Sequence, residues 1–122
     1  MLDWLGDPGG SIINVSSIHA VEITPLTSAY AAAKAAVVSL TRSASLEGRK
    51  KGIRVNAVPP GAVNTPMLWE NPNVQSGLET IDRGVLGQPD DVAAVIAFLA
   101  SDDARFIRGS SVIVDGGRSA KL

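Results

Sequence analysis

Tyr30 and Lys34 stand four positions apart in this chain. On a helix that spacing puts both side chains on one face, aimed at one place. A free phenol has a pKa of about 10, so almost none is ionised at neutral pH. An ammonium within ~4 Å favours a phenolate by up to about 4 kcal/mol at an effective dielectric near ~20. Such a pair approaches the working range of a general acid–base. Ser17 closes a short apolar run, SIINVSS, at the strand-end position where open α/β sheets place their sites. Its hydroxyl can hydrogen-bond a carbonyl or hydroxyl oxygen and orient it. The three groups together could move a proton at a carbon–oxygen centre. The spacing alone is also met by an exposed lysine and a half-buried tyrosine on an amphipathic helix. Ser16 and Ser17 could equally cap the strand end.

Three strands and two long helices must position these groups. Residues 11–17 read as a strand buried on both faces, because Ile and Val fill a short run flanked by Gly9-Gly10 and a polar stretch. Only residues 1–7 before it could be helical. Residues 26–51 read as a long helix, with Thr27 or Ser28 as its cap. Its apolar stripe is Ala29, Ala33, Ala36, Val37, Leu40 and Ala44. Lys50 and Lys51 suit the C-terminal dipole, and Gly52 can take the left-handed conformation that ends it. The alanine-rich stretch 29–36 predicts close approach to a neighbour. Residues 53–58 (IRVNAV) read as a second buried strand, stopped by Pro59-Pro60-Gly61. Residues 62–87 read as a long loop, a length that in a compact domain tends to serve function. Pro89 opens a helix over 89–101, with Asp90 and Asp91 at its positive end. Residues 111–115 (SVIVD) read as a third strand. Alternating strands and helices imply one α/β domain over 1–122, with three parallel strands and crossover helices.

Composition narrows the function classes. Eleven basic against twelve acidic residues leave a net charge of -1. That argues against a nucleic-acid binder or a polybasic membrane module. No cysteine is present, so a disulfide scaffold, a thiolate zinc site and a cysteine nucleophile are excluded. A single histidine excludes a His-rich metal site, and no metal is expected. Aromatic residues are too few, at 4%, for a single-strand stacking platform. No apolar run approaches the ~20 residues that span a bilayer. The start, MLDWLGDPGG, lacks the pattern of a signal peptide. The expectation is a soluble cytoplasmic protein with no nucleic-acid or membrane partner.

The run GSIINVSS, followed by YAAAK with Tyr30 thirteen positions after Ser17, resembles the short-chain dehydrogenase/reductase family. IRVNAVPPGAVNTPM resembles that family's segment beside the nicotinamide. GQPDDVAAVIAFLASDDARFIRGSSVIVDGG resembles its last helix and strand. The resemblance covers about Gly10 to Gly117. It implies a partial Rossmann-like fold, the C-terminal half of a doubly wound sheet. It implies NAD or NADP as cofactor and a small carbonyl or alcohol as substrate. By the same resemblance, Tyr30 exchanges the proton. Lys34 binds the nicotinamide ribose and favours the ionised phenol. Ser17 holds the substrate oxygen. Pro60, Gly61 and Val63 line the nicotinamide, Val63 offering backbone groups to its carboxamide, and Thr65 bonds the carboxamide or a nearby phosphate. Residues 67–86 form the variable substrate lid. Two of these have simpler alternatives: Pro60-Gly61 as a turn, and Thr65 as a helix cap before Pro66. His19 reads as an exposed loop histidine.

The departure is one of extent. Family members are roughly twice this length and carry a Gly-rich turn under the pyrophosphate. This chain has no Gly-x-Gly and no room for a βαβ unit before Ser11. NAD(P) binding and turnover by this chain alone are therefore expected to be weak. An unpaired apolar edge on the first strand invites association, so a homo-oligomer is expected. The alternative function is a non-catalytic, self-associating remnant.

Overall fold

The computed structural model describes residues 9–120; the helical stub expected over 1–7 lies outside them. Two strands, β1 (Ser11–Val15) and β2 (Arg54–Val58), pair in parallel, Ser11 opposite Arg54 and Val15 opposite Val58. The helix α1 (Ser28–Gly48) connects them. Beyond β2 come two single-turn helices, α2 (Pro66–Trp69) and α3 (Pro72–Gln75), then α4 (Pro89–Ala100). The expected loop 62–87 therefore has structure of its own, each short helix opened by a proline at its first turn.

The third strand is a correction. Residues 111–115 run parallel to β2 but form only two isolated bridges, Ala57 with Ser111 and Pro60 with Val114. Val112 donates to the Ala57 carbonyl (2.9 Å), and Val114 donates to that of Pro59 (3.1 Å). In a regular ladder the Val112 carbonyl would accept from residue 59. That residue is proline and has no N–H, so the ladder breaks there.

Strand parity sorts the core into two layers. Ile12 and Val55 face α1, packing with Ala44 and Ile53. Ile13 and Val58 face α4, packing with Leu99, Val95, Ile96 and Ala104. β2 is buried along its whole length, as expected of a central strand. β1 is only half-buried and Val15 is exposed, against the expectation of burial on both faces. Among the described residues β1 pairs on one edge only. The strand also ends at Val15; Ser16 and Ser17 leave it.

The face that α1 buries differs from the expected stripe. Ala31, Thr41, Ala44, Ser45 and Gly48 are buried, whereas Ala29, Ala33, Ala36 and Leu40 are exposed. Closeness explains the choice of small residues: a Cβ on Gly48 would sit 3.1 Å from the Ile53 side chain. Asn14 reinforces the contact by donating to Thr41 Oγ1 at 3.0 Å. The helix starts at Ser28 rather than 26, because Leu26 stands at φ +62. The Thr27 hydroxyl donates to the Thr24 carbonyl instead of capping the helix. At the far end a 3-10 turn, Arg49–Lys51, leads to Gly52 at φ +69, the left-handed stop expected of it.

Two features fix the crossing of β2 with the C-terminal segment. Gly61 donates to the Val114 carbonyl at 2.9 Å, and a Cβ there would lie 2.8 Å from the Asp115 Cβ and 2.9 Å from its Cα. Gly61→Ala is therefore expected to destabilise the fold by about 1–3 kcal/mol, through forced backbone movement. A urea melt of the full chain reads this as a lower midpoint. Asp115 itself closes the final turn. The Ser119 hydroxyl (2.6 Å) and then the amides of Ser119 (2.8 Å) and Gly117 (2.9 Å) donate to its carboxylate. These bonds hold the carboxyl below its ordinary value, led by the Ser119 hydroxyl and against a smaller desolvation effect. A lowered native pKa means the unfolded chain takes up the proton first as pH falls. The stabilisation is therefore complete above the ordinary carboxylate value of about 4 and is lost as pH drops through the lowered one. Melts of wild type and Asp115→Asn should differ by a constant amount at neutral pH and converge in strong acid.

Candidate active site

The parallel strands end side by side, and their continuations are stitched together. Ser16 donates its backbone N–H to Val58, and Ile18 donates to Pro60, at 2.9 and 2.8 Å. The Ser16 hydroxyl donates to the Lys34 carbonyl at 2.7 Å, fixing that turn of α1 against the strand end. Ser16 thus anchors the helix that carries Tyr30 and Lys34, a role with no separate signature in the sequence.

Ser17, Tyr30 and Lys34 come together at this C-terminal end of β1. Lys34 Nζ reaches the Val15 carbonyl at 3.4 Å and lies 5.6 Å from the centroid of the Tyr30 ring. The ammonium stands over the face of the phenol, a cation–π arrangement. Ser17 is buried and caps the 3-10 turn Ile18–Ala20, its hydroxyl accepting the His19 N–H at 3.1 Å. The His19 ring meets the Tyr30 ring edge-on, with centroids 5.8 Å apart at 78°. Tyr30 is 47% exposed. His19 is a correction: its side chain is 13% exposed, so it is not an exposed loop residue.

The segment after β2 presents the other expected contacts. Pro60 and Gly61 form the floor of the strand end and bond to Ile18 and Val114 through their backbones. Val63 bridges to Gly87 in parallel, through the Ala62 carbonyl and the Asn64 N–H (2.9 and 2.8 Å). The backbone groups of Val63 therefore turn to the opposite edge, where Thr65 Oγ1 donates to its carbonyl at 3.3 Å. Thr65 also accepts the Leu68 N–H at 3.4 Å, which makes it the helix cap of α2. Its hydroxyl proton and one of its two lone pairs are thus committed to the fold.

Two hollows flank the base of the lid. One is lined by Val63, Val85, Val92 and Asp115; the other by Glu22, Thr80, Asp82 and Arg118. Tyr30 lines neither and stands on open surface. Among the described residues no group of three His, Cys, Asp or Glu side chains could hold a metal ion. No helix among them is long and apolar enough to cross a membrane.

A family model described as enoyl-(acyl carrier protein) reductase matches residues 2–119. The chain is 46% identical over 112 residues to 3β-hydroxysteroid dehydrogenase 1 of Eggerthella lenta, covering 88% of this chain and 43% of that protein. The ligand-free aldohexose dehydrogenase of Thermoplasma acidophilum superposes with a TM-score of 0.81 at 36% identity, covering 92% of this chain and 49% of that one. ElxO, solved with NADP bound, superposes with a TM-score of 0.76 at 37% identity, covering 92% and 47%. The chain thus spans less than half the length of these relatives. A match over nearly all of its residues, on a parallel sheet flanked by helices, establishes that this chain belongs to the short-chain dehydrogenase/reductase family.

Proposed function

We propose that this chain is the catalytic part of an NAD(P)-dependent oxidoreductase interconverting a small alcohol and its carbonyl compound. One observation carries the reading: Ser17, Tyr30 and Lys34 are grouped at the C-terminal end of β1, with the phenol half-exposed. On this reading 1–122 is one cytoplasmic domain, the second half of the family fold.

Tyr30 exchanges a proton with the substrate oxygen, and Ser17 Oγ–H orients that oxygen by a hydrogen bond. Ser17 can do both jobs, because its lone pair takes the His19 N–H while its proton remains to donate. Lys34 offers its ammonium to ribose hydroxyls and keeps positive charge over the phenol. A bound nicotinamide would take the hydride from the alcohol carbon, or return it to the carbonyl carbon in the reverse direction. The residues fit that end of the cofactor: the Val63 N–H lies on the edge away from its bridge, beside the Pro60-Gly61 floor. Thr65 fits less well, since its hydroxyl is engaged twice. For the pyrophosphate, the sequence holds no Gly-x-Gly.

The test supplies the nucleotide-binding half of a relative in trans. Calorimetry with NAD and NADP should give weak binding to this chain alone and firm binding to the pair, with carbinol oxidation. A pair that binds neither nucleotide and oxidises no carbinol overturns the reading. One observation favours a second reading, a self-associating non-catalytic module: β1 pairs on one edge among the described residues, and Val15 is exposed. A stable homo-oligomer with no NAD(P) binding supports that alternative. A monodisperse monomer in light scattering at micromolar concentration removes it.

A further inference from the structure

The His19 imidazole has no part in the roles above, yet it is approached from several sides. Nδ1 lies 3.0 Å from the Glu22 carbonyl, and Nε2 lies 3.9 Å from Glu79 Oε1. The ring edge is against Tyr30, and the backbone N–H is on Ser17. Glu79 belongs to the 67–86 lid segment and is buried. Arg118, from the C-terminal turn, pairs with Glu22 at 3.2 Å and Glu79 at 3.4 Å. Three separate segments therefore meet around one ring.

The partners fix its chemistry. A carbonyl can only accept, so the bond to Glu22 requires the proton on Nδ1. In the neutral ring Nε2 then carries a lone pair and faces a carboxylate, acceptor against acceptor. Protonation converts Nε2 into a charged donor aimed at Glu79. Arg118 pairs with the same Glu79 oxygen at 3.4 Å, which keeps that carboxylate near the ring. The charged and titratable groups around the ring are Glu79 from the lid, Arg118 from the C-terminal turn, and Glu22 on the following turn with its carboxylate on Arg118. From α1 come Tyr30 and the Lys34 ammonium over its face.

The geometry points to His19 as a positioning residue that couples the lid to the phenol: its protonation draws Glu79 inward, and its ring edge carries the movement to Tyr30. This rests on the reading of Tyr30 as the proton-exchanging group. It links the lid and the phenol through one ring.

The chain contains one histidine and one tyrosine, so each ring is identified in NMR spectra without ambiguity. A pH titration of the wild-type chain should show the Tyr30 ring resonances inflecting at the same midpoint as those of His19. The lid amides around Glu79 should follow that midpoint too. In Glu79→Gln, which removes the carboxylate that the charged ring draws, the lid amides should lose the inflection and that of Tyr30 should shrink. In His19→Phe, which preserves an aromatic edge, Tyr30 should lose it. Tyr30 resonances that stay flat through the His19 titration of the wild type overturn the proposal, whether or not either variant folds. Survival of the inflection in His19→Phe overturns it as well. No nucleotide enters this measurement. A coupled Tyr30 whose replacement leaves turnover intact would defeat the catalytic reading alone.

Discussion

Replacing Arg54 with alanine is expected to cost roughly 3–5 kcal/mol, the largest stability loss of any single change considered in this chain. Arg54 is 7% exposed at the start of the central strand. Its guanidinium donates to the carbonyls of Leu99 (2.6 Å), Ala104 (3.2 Å), Ala100 (3.3 Å) and Ser101 (3.0 Å). The carbonyls at the end of a helix have no partner within the helix and carry its negative dipole end. One planar cation satisfies them and neutralises that dipole at once. A charged hydrogen bond contributes about 1.5–3 kcal/mol, but the four share one donor group and do not add. Removal takes the strongest donor from the Leu99 carbonyl, a donor from those of Ala100, Ser101 and Ala104, and opens a cavity between β2 and α4. Arg54→Lys should recover part of the loss, since an ammonium keeps the charge but cannot span four acceptors with a planar fork. A urea melt checks both, read as a fall in midpoint at unchanged slope. An alanine variant within about 1 kcal/mol of wild type would show that water or Ser11, which donates to the Leu99 carbonyl at 3.2 Å, replaces the guanidinium.

Arg54 also marks where the sequence stops being readable. IRVNAV reveals a buried strand, because its apolar residues are β-branched and its ends are punctuated by Gly52 and Pro59. It does not reveal that Arg54 and Asn56 point inward. Asn56 is fully buried, donating to the Ile107 carbonyl at 2.9 Å and accepting the Ser110 N–H at 3.0 Å. Polar residues alternating with Val normally indicate a solvated face; here that face meets helix-end and loop backbone, whose exposed N–H and C=O groups need side-chain partners. The misjudged face of α1 has a related origin. Alanine occurs all round its first three turns, so apolar periodicity has no angle to select. Close approach to β2 selects Thr41, Ser45 and Gly48 instead, by size. The placement of Ser17, Tyr30 and Lys34 was legible because its signal is positional: two residues one helical turn apart and a serine just past a strand end. His19 was not, since Glu79 beside it is 60 positions away and Arg118, which pairs with Glu79, is 99 away, separations that no local pattern encodes.

Tyr30→Phe is the change with the largest expected effect on turnover. In the pair formed with a nucleotide-binding half, it should lower kcat by about 10²–10⁴-fold, the range for loss of a positioned acid–base group. KM should change little, because the ring stays against the His19 edge and beneath Lys34. The substitution removes one oxygen from a half-exposed side chain, so no core contact is lost. Its thermal melt should therefore match the wild type, which separates a chemical defect from a folding one. Ser17→Ala offers a contrast. It removes the hydroxyl proposed to orient the substrate oxygen and also frees the His19 N–H from its acceptor. That variant should lose activity and shift the His19 resonances together, whereas Tyr30→Phe should leave the Ser17–His19 bond intact. Turnover by Tyr30→Phe within a few-fold of wild type would mean that solvent, reaching the open face at Tyr30, delivers the proton instead.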